Sequence, residues 1–386
     1  MNQLNLSTSS FDRSYATPEA KARSASPVRD GIRVAIWFVI GLVAIDVLIN
    51  NIFAYPSDPQ IKSASRLSAY FEYGRSSVGQ LARLTRADPS KTAPITLTGW
   101  YDPLLIQESP SDVRKPIITF YGMSHTVRLG AALGRTSDRF SPRIVGAPGA
   151  STNWSYGAYL RDRGGSKSRA VVLGLMSANL PMITTMSPMT WNFEFPMPYT
   201  ADRFYIEEDH LRVVHPPYTS FEQYIETFYD KAKWEAALDV FAMNDSMYNS
   251  LIINANIFDH SSLLRLVRRA YGQFFLRNMR KNVLDQTGFR PESEQIQVAR
   301  LMVRDFARLA RRDGVIPVIF IVNNLGYSDF LYQALKPILD TDRIPYLSSH
   351  TIVSPNDPRG YLPDNHFIDA VDNKLACALV DLIESQ

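Results

Sequence analysis

The chemistry on offer begins with a hydroxyl. Residues 117–126 read IITFYGMSHT, an apolar run that reaches Gly-Met-Ser and passes directly into an amphipathic stretch. The pattern predicts a buried strand, a tight turn and a helix, with Ser124 at the junction. In an open α/β sheet the carboxyl ends of the strands line the binding crevice, and the first amides of a helix favour negative charge. By itself a Gly-x-Ser more often marks a turn or a helix cap. Near the other end of the chain, residues 361–367 read YLPDNHF just before a closing amphipathic stretch. A serine hydroxyl is a weak nucleophile until a base takes its proton, and an imidazole with an ordinary pKa of ~6.5 suits that task. A carboxylate beside the ring orients it and stabilises its charged form. Ser124 as nucleophile, His366 as base and Asp364 as support therefore form the candidate constellation.

These residues need a sheet to bring them together. Apolar runs at 117–121, 143–145 and 170–175 read as strands, and the stretches at 127–135 and 156–161 read as helices. The rhythm returns late, with helices over 292–312, 328–339 and 368–383 and strands over 315–322 and 344–347. Strands alternating with helices predict a parallel sheet covered on both faces. Both candidate segments follow strands, which puts them at one edge of that sheet. Residues 182–290 break the rhythm with a Met-, Pro- and aromatic-rich tract, a hairpin over 203–215 turning at Glu207-Glu208-Asp209, and a helical block; they read as an inserted cap. Residues 55–114 form a linker and a lead-in, with helical spacing from Leu67 to Leu84, a short strand over 95–99, and packing on the main domain.

These blocks resemble the SGNH/GDSL hydrolase superfamily, over residues 115–181 and 291–386. The resemblance implies a three-layer, flavodoxin-like α/β domain with its serine after the first strand and an Asp/His pair before the last helix. It implies acyl-ester chemistry with no metal or organic cofactor. It also implies an oxyanion hole made from the amide of a glycine after the second strand, for which Gly146 and Gly149 both qualify, and from an asparagine after the third. Aligned without a gap, that asparagine position falls on Ala178, so Asn179 is reached by a one-residue shift, with Asn153 or Ser177 as substitutes. The serine block reads Gly-Met-Ser where the family has Gly-Asp-Ser. Asp364 stands two residues before His366 where the family's interval is three, a place held here by Pro363; Asp357 and Asp369 are the alternative acids. Membrane-tethered relatives add or remove acetyl groups on exported polysaccharides. The expected substrate is thus an acylated carbohydrate or other ester, hydrolysed or used for acyl transfer. The alternatives are a lipid or lysophospholipid esterase, and a catalytically degenerate scaffold in a polysaccharide-export complex.

Residues 34–54 are apolar over about the length that crosses a ~30 Å hydrocarbon layer. They read as an uncleaved transmembrane signal anchor, preceded by a disordered tail over 1–33. Arg29 and Arg33 flank its amino end while the nearest base beyond it is Lys62, which predicts a cytoplasmic amino terminus and an extracytoplasmic domain. Asp46 inside this run is a candidate contact for an integral-membrane partner. The 386 residues carry 41 basic and 38 acidic side chains spread along the chain, a balance that argues against a nucleic-acid partner. The single cysteine, Cys377, reads as a small buried thiol in the last helix, and no Cys/His spacing suits zinc. His125 reads as a residue lining the site, and His210, His215, His260 and His350 as packing residues. Arg265, Arg268, Arg269, Arg277, Arg280 and Lys281 read as a solvated helix face, or a patch for anionic headgroups or acidic polysaccharide. Trp191, Phe193, Phe195 and Tyr199 suit either sugar stacking or a small core beneath the cap.

Overall fold

In a computed structural model of the chain, residues 27–56, 63–86, 99–110, 112, 114–147, 149–164 and 167–386 are described. The tail over 1–26 and most of the short strand expected over 95–99 lie outside them. The chain divides into two units, residues 1–49 and Asn50–Gln386. Helix α1 (Pro27–Ile52) spans about 39 Å at roughly 1.5 Å per residue, and Val34, Trp37, Phe38 and Val43 are exposed along it. It is long and apolar enough to cross a membrane, as an anchor or as a signal sequence. Residues 27–33, expected to belong to the disordered tail, are helical instead.

The second unit is built on a six-stranded sheet. Its strands are β1 (Ile106–Glu108), β2 (Ile117–Gly122), β3 (Ser141–Gly146), β4 (Ser168–Met176), β9 (Ile316–Val322) and β10 (Tyr346–Ser348), in the spatial order β1-β3-β2-β4-β9-β10. All neighbours are parallel except β1, an antiparallel edge on β3. Without that edge the order is the flavodoxin-like 2-1-3-4-5, whose connections reverse direction beside β2. Right-handed crossovers then send successive helices to opposite faces. Helices α4 (Ser124–Thr136) and α13 (Asp369–Glu384) pack together, as do α5 (Thr152–Asp162) and α11 (Glu294–Arg312). The strands read as unbroken apolar runs because both faces are covered: Ile118, Phe120, Val172, Leu173, Val318 and Phe320 are wholly buried. This is the three-layer α/β architecture expected from the sequence.

The insertion holds the expected hairpin, β5 (Arg203–Glu207) and β6 (His210–Val214), with Glu208 in the left-handed region at the turn. Its helices include α7 (Phe221–Tyr229), α8 (Lys231–Asn244) and α10 (Ser262–Lys281). The lead-in helices α2 (Arg66–Glu72) and α3 (Ser77–Arg86) belong with it rather than with the sheet: Leu81 of α3 shares a core with Trp100, Phe193, Tyr218, Tyr224, Trp234 and Phe241.

Three side-chain expectations change. Arg265 and Arg268 are buried rather than solvated. Arg265 pairs with Glu72 at 2.7 Å, and Arg268 pairs with Asp259, which also accepts from the Ser76 amide at 2.8 Å and the Ser76 hydroxyl at 2.7 Å. Arg269 pairs with Glu194, and of the basic run Arg277, Arg280 and Lys281 at the end of α10 are exposed. Cys377 is exposed, because the buried face of α13 carries Leu375, Ala376 and Leu379 and turns residue 377 outward. Of the aromatic tract, Phe193 and Tyr199 fill the second core, whereas Phe195 faces solvent.

Candidate active site

Strand β2 ends at Gly122, and Met123, with extended backbone, caps the helix that Ser124 begins. The Met123 carbonyl accepts from the amides of Thr126 and Val127, closing the first turn around the serine. The approach of α4 to the sheet is close: a Cβ on Gly122 would lie 2.3 Å from Thr126 Oγ1, and one on Gly174 of β4 would lie 1.9 Å from it. Two side-chain-free positions therefore let the helix that Ser124 begins rest on β2 and β4. Ser124 sits at the carboxyl edge of the sheet, at the point where strand order reverses.

His366 comes from a tight loop between β10 and α13. Tyr361 and Phe367 bridge across it, Leu362 and His366 bond through their main chains at 2.7 Å, and Asn365 takes a left-handed φ of 67° to close the turn. This loop carries the imidazole to the hydroxyl: His366 Nε2 lies 2.7 Å from Ser124 Oγ. On the far side of the ring, Nδ1 lies 3.0 Å from Asp364 Oδ2, while Asp364 Oδ1 accepts from the His366 amide at 3.2 Å. One carboxylate thus grips both the ring and the backbone of the same residue. The left-handed turn at Asn365 makes a two-residue interval sufficient. The hydrogen bond from the His366 side chain, then that from its amide, hold the Asp364 carboxyl below its ordinary range. Ser124 and His366 are half-buried and the Asp364 side chain is 65% exposed, so the site is open.

The other acids are occupied. Asp357 grips Arg359, which pulls its carboxyl down to about 2, and Asp369 accepts from Arg128 at 2.9 Å. Asp364 is the carboxylate on the ring.

The oxyanion candidates separate in the same way. Asn153 is wholly buried and donates both amide hydrogens, to the carbonyls of Thr185 and Asp202 at 2.8 Å each, which leaves it none to give. Ser177 donates to Val322 O at 3.2 Å and is also wholly buried. Asn179 gives one hydrogen to Ala150 O at 3.1 Å and retains a second. That bond ties the turn after β4 (residues 177–182) to the loop after β3. Gly146 ends β3, its carbonyl accepting from Gln107 Nε2 at 2.8 Å, and Gly149 lies in the loop itself with φ 65°; the amide of either remains a candidate donor.

Three residues carry roles that the sequence reading did not give them. His125 is buried with its ring stacked on that of His366, centroids 4.8 Å apart at 28°, and its Nε2 lies 3.2 Å from Asn365 O. Consecutive side chains at a strand-to-helix turn usually diverge; here the second loop folds over both. Burial, and then the nearby His366, push the His125 pKa down to about 4. Arg128, one turn further along α4, bonds Phe367 O at 3.0 Å and Asp372 at 2.8 Å. Its sequence signal is a cation at i+4 from the serine with two acids, Asp369 and Asp372, opening the last helix. Asn324, after β9, accepts from the Ala178 amide at 3.0 Å and so helps place the turn that carries Asn179. Among the described residues, the polar contacts of His210, His215 and His350 are with Glu207, Asp202 and Ser348. No cluster of metal-ligating side chains occurs among the described residues.

No protein-family model matches this sequence, and no curated protein matches it. Among solved structures the chain is similar to a protein from Desulfitobacterium hafniense described as lipolytic and of the G-D-S-L family, at 11% identity and a TM-score of 0.31, covering 69% of this chain and 99% of that one. It is also similar to a protein from Bacteroides fragilis described as an acylhydrolase, at 9% identity and a TM-score of 0.31, over 72% of this chain and 90% of that one. A third, described as a GDSL-like lipase from Bacteroides thetaiotaomicron, has 10% identity and a TM-score of 0.30, over 72% of this chain and 93% of that one.

Proposed function

We propose that this chain is a serine-dependent ester hydrolase or O-acyl transferase, and the observation that carries the reading is the 2.7 Å contact between Ser124 Oγ and His366 Nε2 with Asp364 behind the ring. His366 takes the Ser124 proton as the oxygen attacks an ester carbonyl, and Asp364 stabilises the imidazolium that forms. The amides of Ser124 and of Gly146 or Gly149, with the remaining hydrogen of Asn179, hold the oxyanion; one such donor is commonly worth about 10² to 10³ in rate. His366 then returns the proton to the leaving alcohol, and water or an acceptor hydroxyl takes the acyl group from Ser124.

The open setting of the site favours a bulky ester over a small molecule held in a closed pocket. A cavity of about 480 Å³, lined in part by Pro116, Ser168 and Asp313, lies at the amino ends of the strands, away from Ser124. An acylated polysaccharide, reached outside the membrane by a domain tethered through α1, fits an exposed Asp364 and a half-buried Ser124; Asp46 is the contact we assign to a membrane partner. The test is release of acetate from acetylated glycans, set against release of fatty acid from phospholipid vesicles, by the full chain and by Ser124→Ala. Acetate release lost in the variant supports the reading. Fatty-acid release alone moves the substrate to lipid, and neither activity, with no transfer to a glycan acceptor, leaves the scaffold reading.

A further inference from the structure

The helix that carries Ser124 also reaches around the loop that carries His366. Two of its side chains, one and four residues past the serine, bond the carbonyls on either side of the histidine: His125 meets Asn365 O at 3.2 Å, and Arg128 meets Phe367 O at 3.0 Å. The same His125 ring lies against the face of His366, with Phe367 edge-on to its other surroundings at 5.0 Å. Arg128 is itself fixed by Asp372, a buried carboxylate at the start of α13, and by Asp369. We propose that His125 and Arg128 are positioning residues that act as a two-point clamp, so that one helix, α4, sets both the place of the nucleophile and the place and tilt of its base.

The inference rests on the hydrolase reading of Ser124 and His366 and adds what holds them in register. An exposed Asp364 is a weak fixture for a loop, because water competes for its hydrogen bonds. The carbonyls of residues 365 and 367 are better handles: the first belongs to the peptide that enters His366 and the second to the peptide after the next residue, so holding both fixes the backbone from which the ring projects. A ring stacked on His366 limits its tilt as well. His125 does this without adding charge, because burial keeps it neutral at ordinary pH and its Nε2 proton is the one given to Asn365. Its Nδ1, buried and without a hydrogen bond among the described residues, is the acceptor end of that tautomer. A nucleophile and base displaced by about 1 Å lose on the order of 10²-fold in rate. The clamp is what keeps the 2.7 Å contact from drifting.

The variants are His125→Phe, which keeps a stacking ring but cannot bond Asn365, and Arg128→Lys, which keeps the charge but not the fork. Both are made in the full chain and assayed below their melting temperatures. The clamp predicts that each lowers the rate of Ser124 phosphonylation by a fluorophosphonate about 10- to 100-fold. It also predicts ester turnover that falls in kcat with KM within about two-fold, and altered ring resonances of His366 in histidine-labelled protein. A role in stability alone would lower melting and leave the rate of the folded protein unchanged; labelling within about two-fold of wild type in both folded variants overturns the clamp. If the wild type is not labelled at all, the hydrolase reading fails by itself. The His366 resonances then decide the clamp: changed in His125→Phe, it stands as a fixture of the loop, and unchanged, it falls.

Discussion

At the scale of single residues, the exposure of Asp364 sets the size of its effect. Buried acids behind a catalytic histidine are worth about 10⁴ in rate. Asp364 is 65% exposed, and water can solvate the imidazolium in its absence. Asp364→Asn should therefore lower kcat/KM about 10- to 100-fold, well short of the loss in His366→Ala, as steady-state kinetics with a chromogenic ester will measure. His125 yields a pH prediction. Its folded pKa of about 4 lies below the ordinary value of 6.5, so the unfolded chain binds more protons between those limits, and the stability it contributes is present above pH ~6.5 and lost as pH falls toward 4. His125→Phe should flatten that acid limb by on the order of 1 kcal/mol per pH unit, read from denaturant midpoints across the window. That Ser124 and His366 come together was legible because both segments follow strands of one parallel sheet and so reach the same edge. The role of His125 was not, since only the folded loop brings Asn365 over it.

At the scale of elements, α4 is held by contacts that tolerate no added atom. Gly174→Ala would set a methyl 1.9 Å from Thr126 Oγ1, and overpacking of this kind typically costs about 1–3 kcal/mol. The prediction is a loss of that size in chemical denaturation, accompanied by slower Ser124 labelling, because the displaced helix carries the serine with it. Removing the hydroxyl in a Gly174→Ala, Thr126→Ala double variant should recover part of both; independent, additive effects would count against the contact. The strand-and-helix rhythm was readable to within a few residues because two covered faces demand continuous apolar runs. The charged face of α10 was misread for a related reason. Arg265 and Arg268 lie at i, i+3 with Gly272 and Leu276 following on the same side, which is core spacing, but their acids Glu72 and Asp259 come from separate segments that periodicity cannot link. Cys377 was open to a better reading, since its phase on α13 departs from that of Leu375 and Leu379.

At the scale of the whole molecule, the second unit has two cores, one under the sheet's helices and one shared by the lead-in and the insertion. The second depends on buried ion pairs, and breaking such a pair from one side commonly costs about 3–5 kcal/mol because the partner charge stays behind. Arg268→Met should therefore strand Asp259 and destabilise the insertion, seen as faster amide exchange in α10 than in the central strands. Asn50 bonds Ser262 at 2.8 Å and Arg265 at 2.7 Å and so joins the same network. The flavodoxin-like order and the insertion between its halves could be foreseen from sequence; the union of lead-in and insertion could not, because aromatic pairs far apart in the chain define it.

The most direct test is mass spectrometry of the full chain after treatment with a fluorophosphonate. If Ser124 is activated by His366, one covalent adduct forms on the peptide containing Ser124, absent in Ser124→Ala and formed far more slowly in His366→Gln. An unmodified Ser124 in folded wild-type protein, or an adduct that forms equally fast without His366, would contradict it.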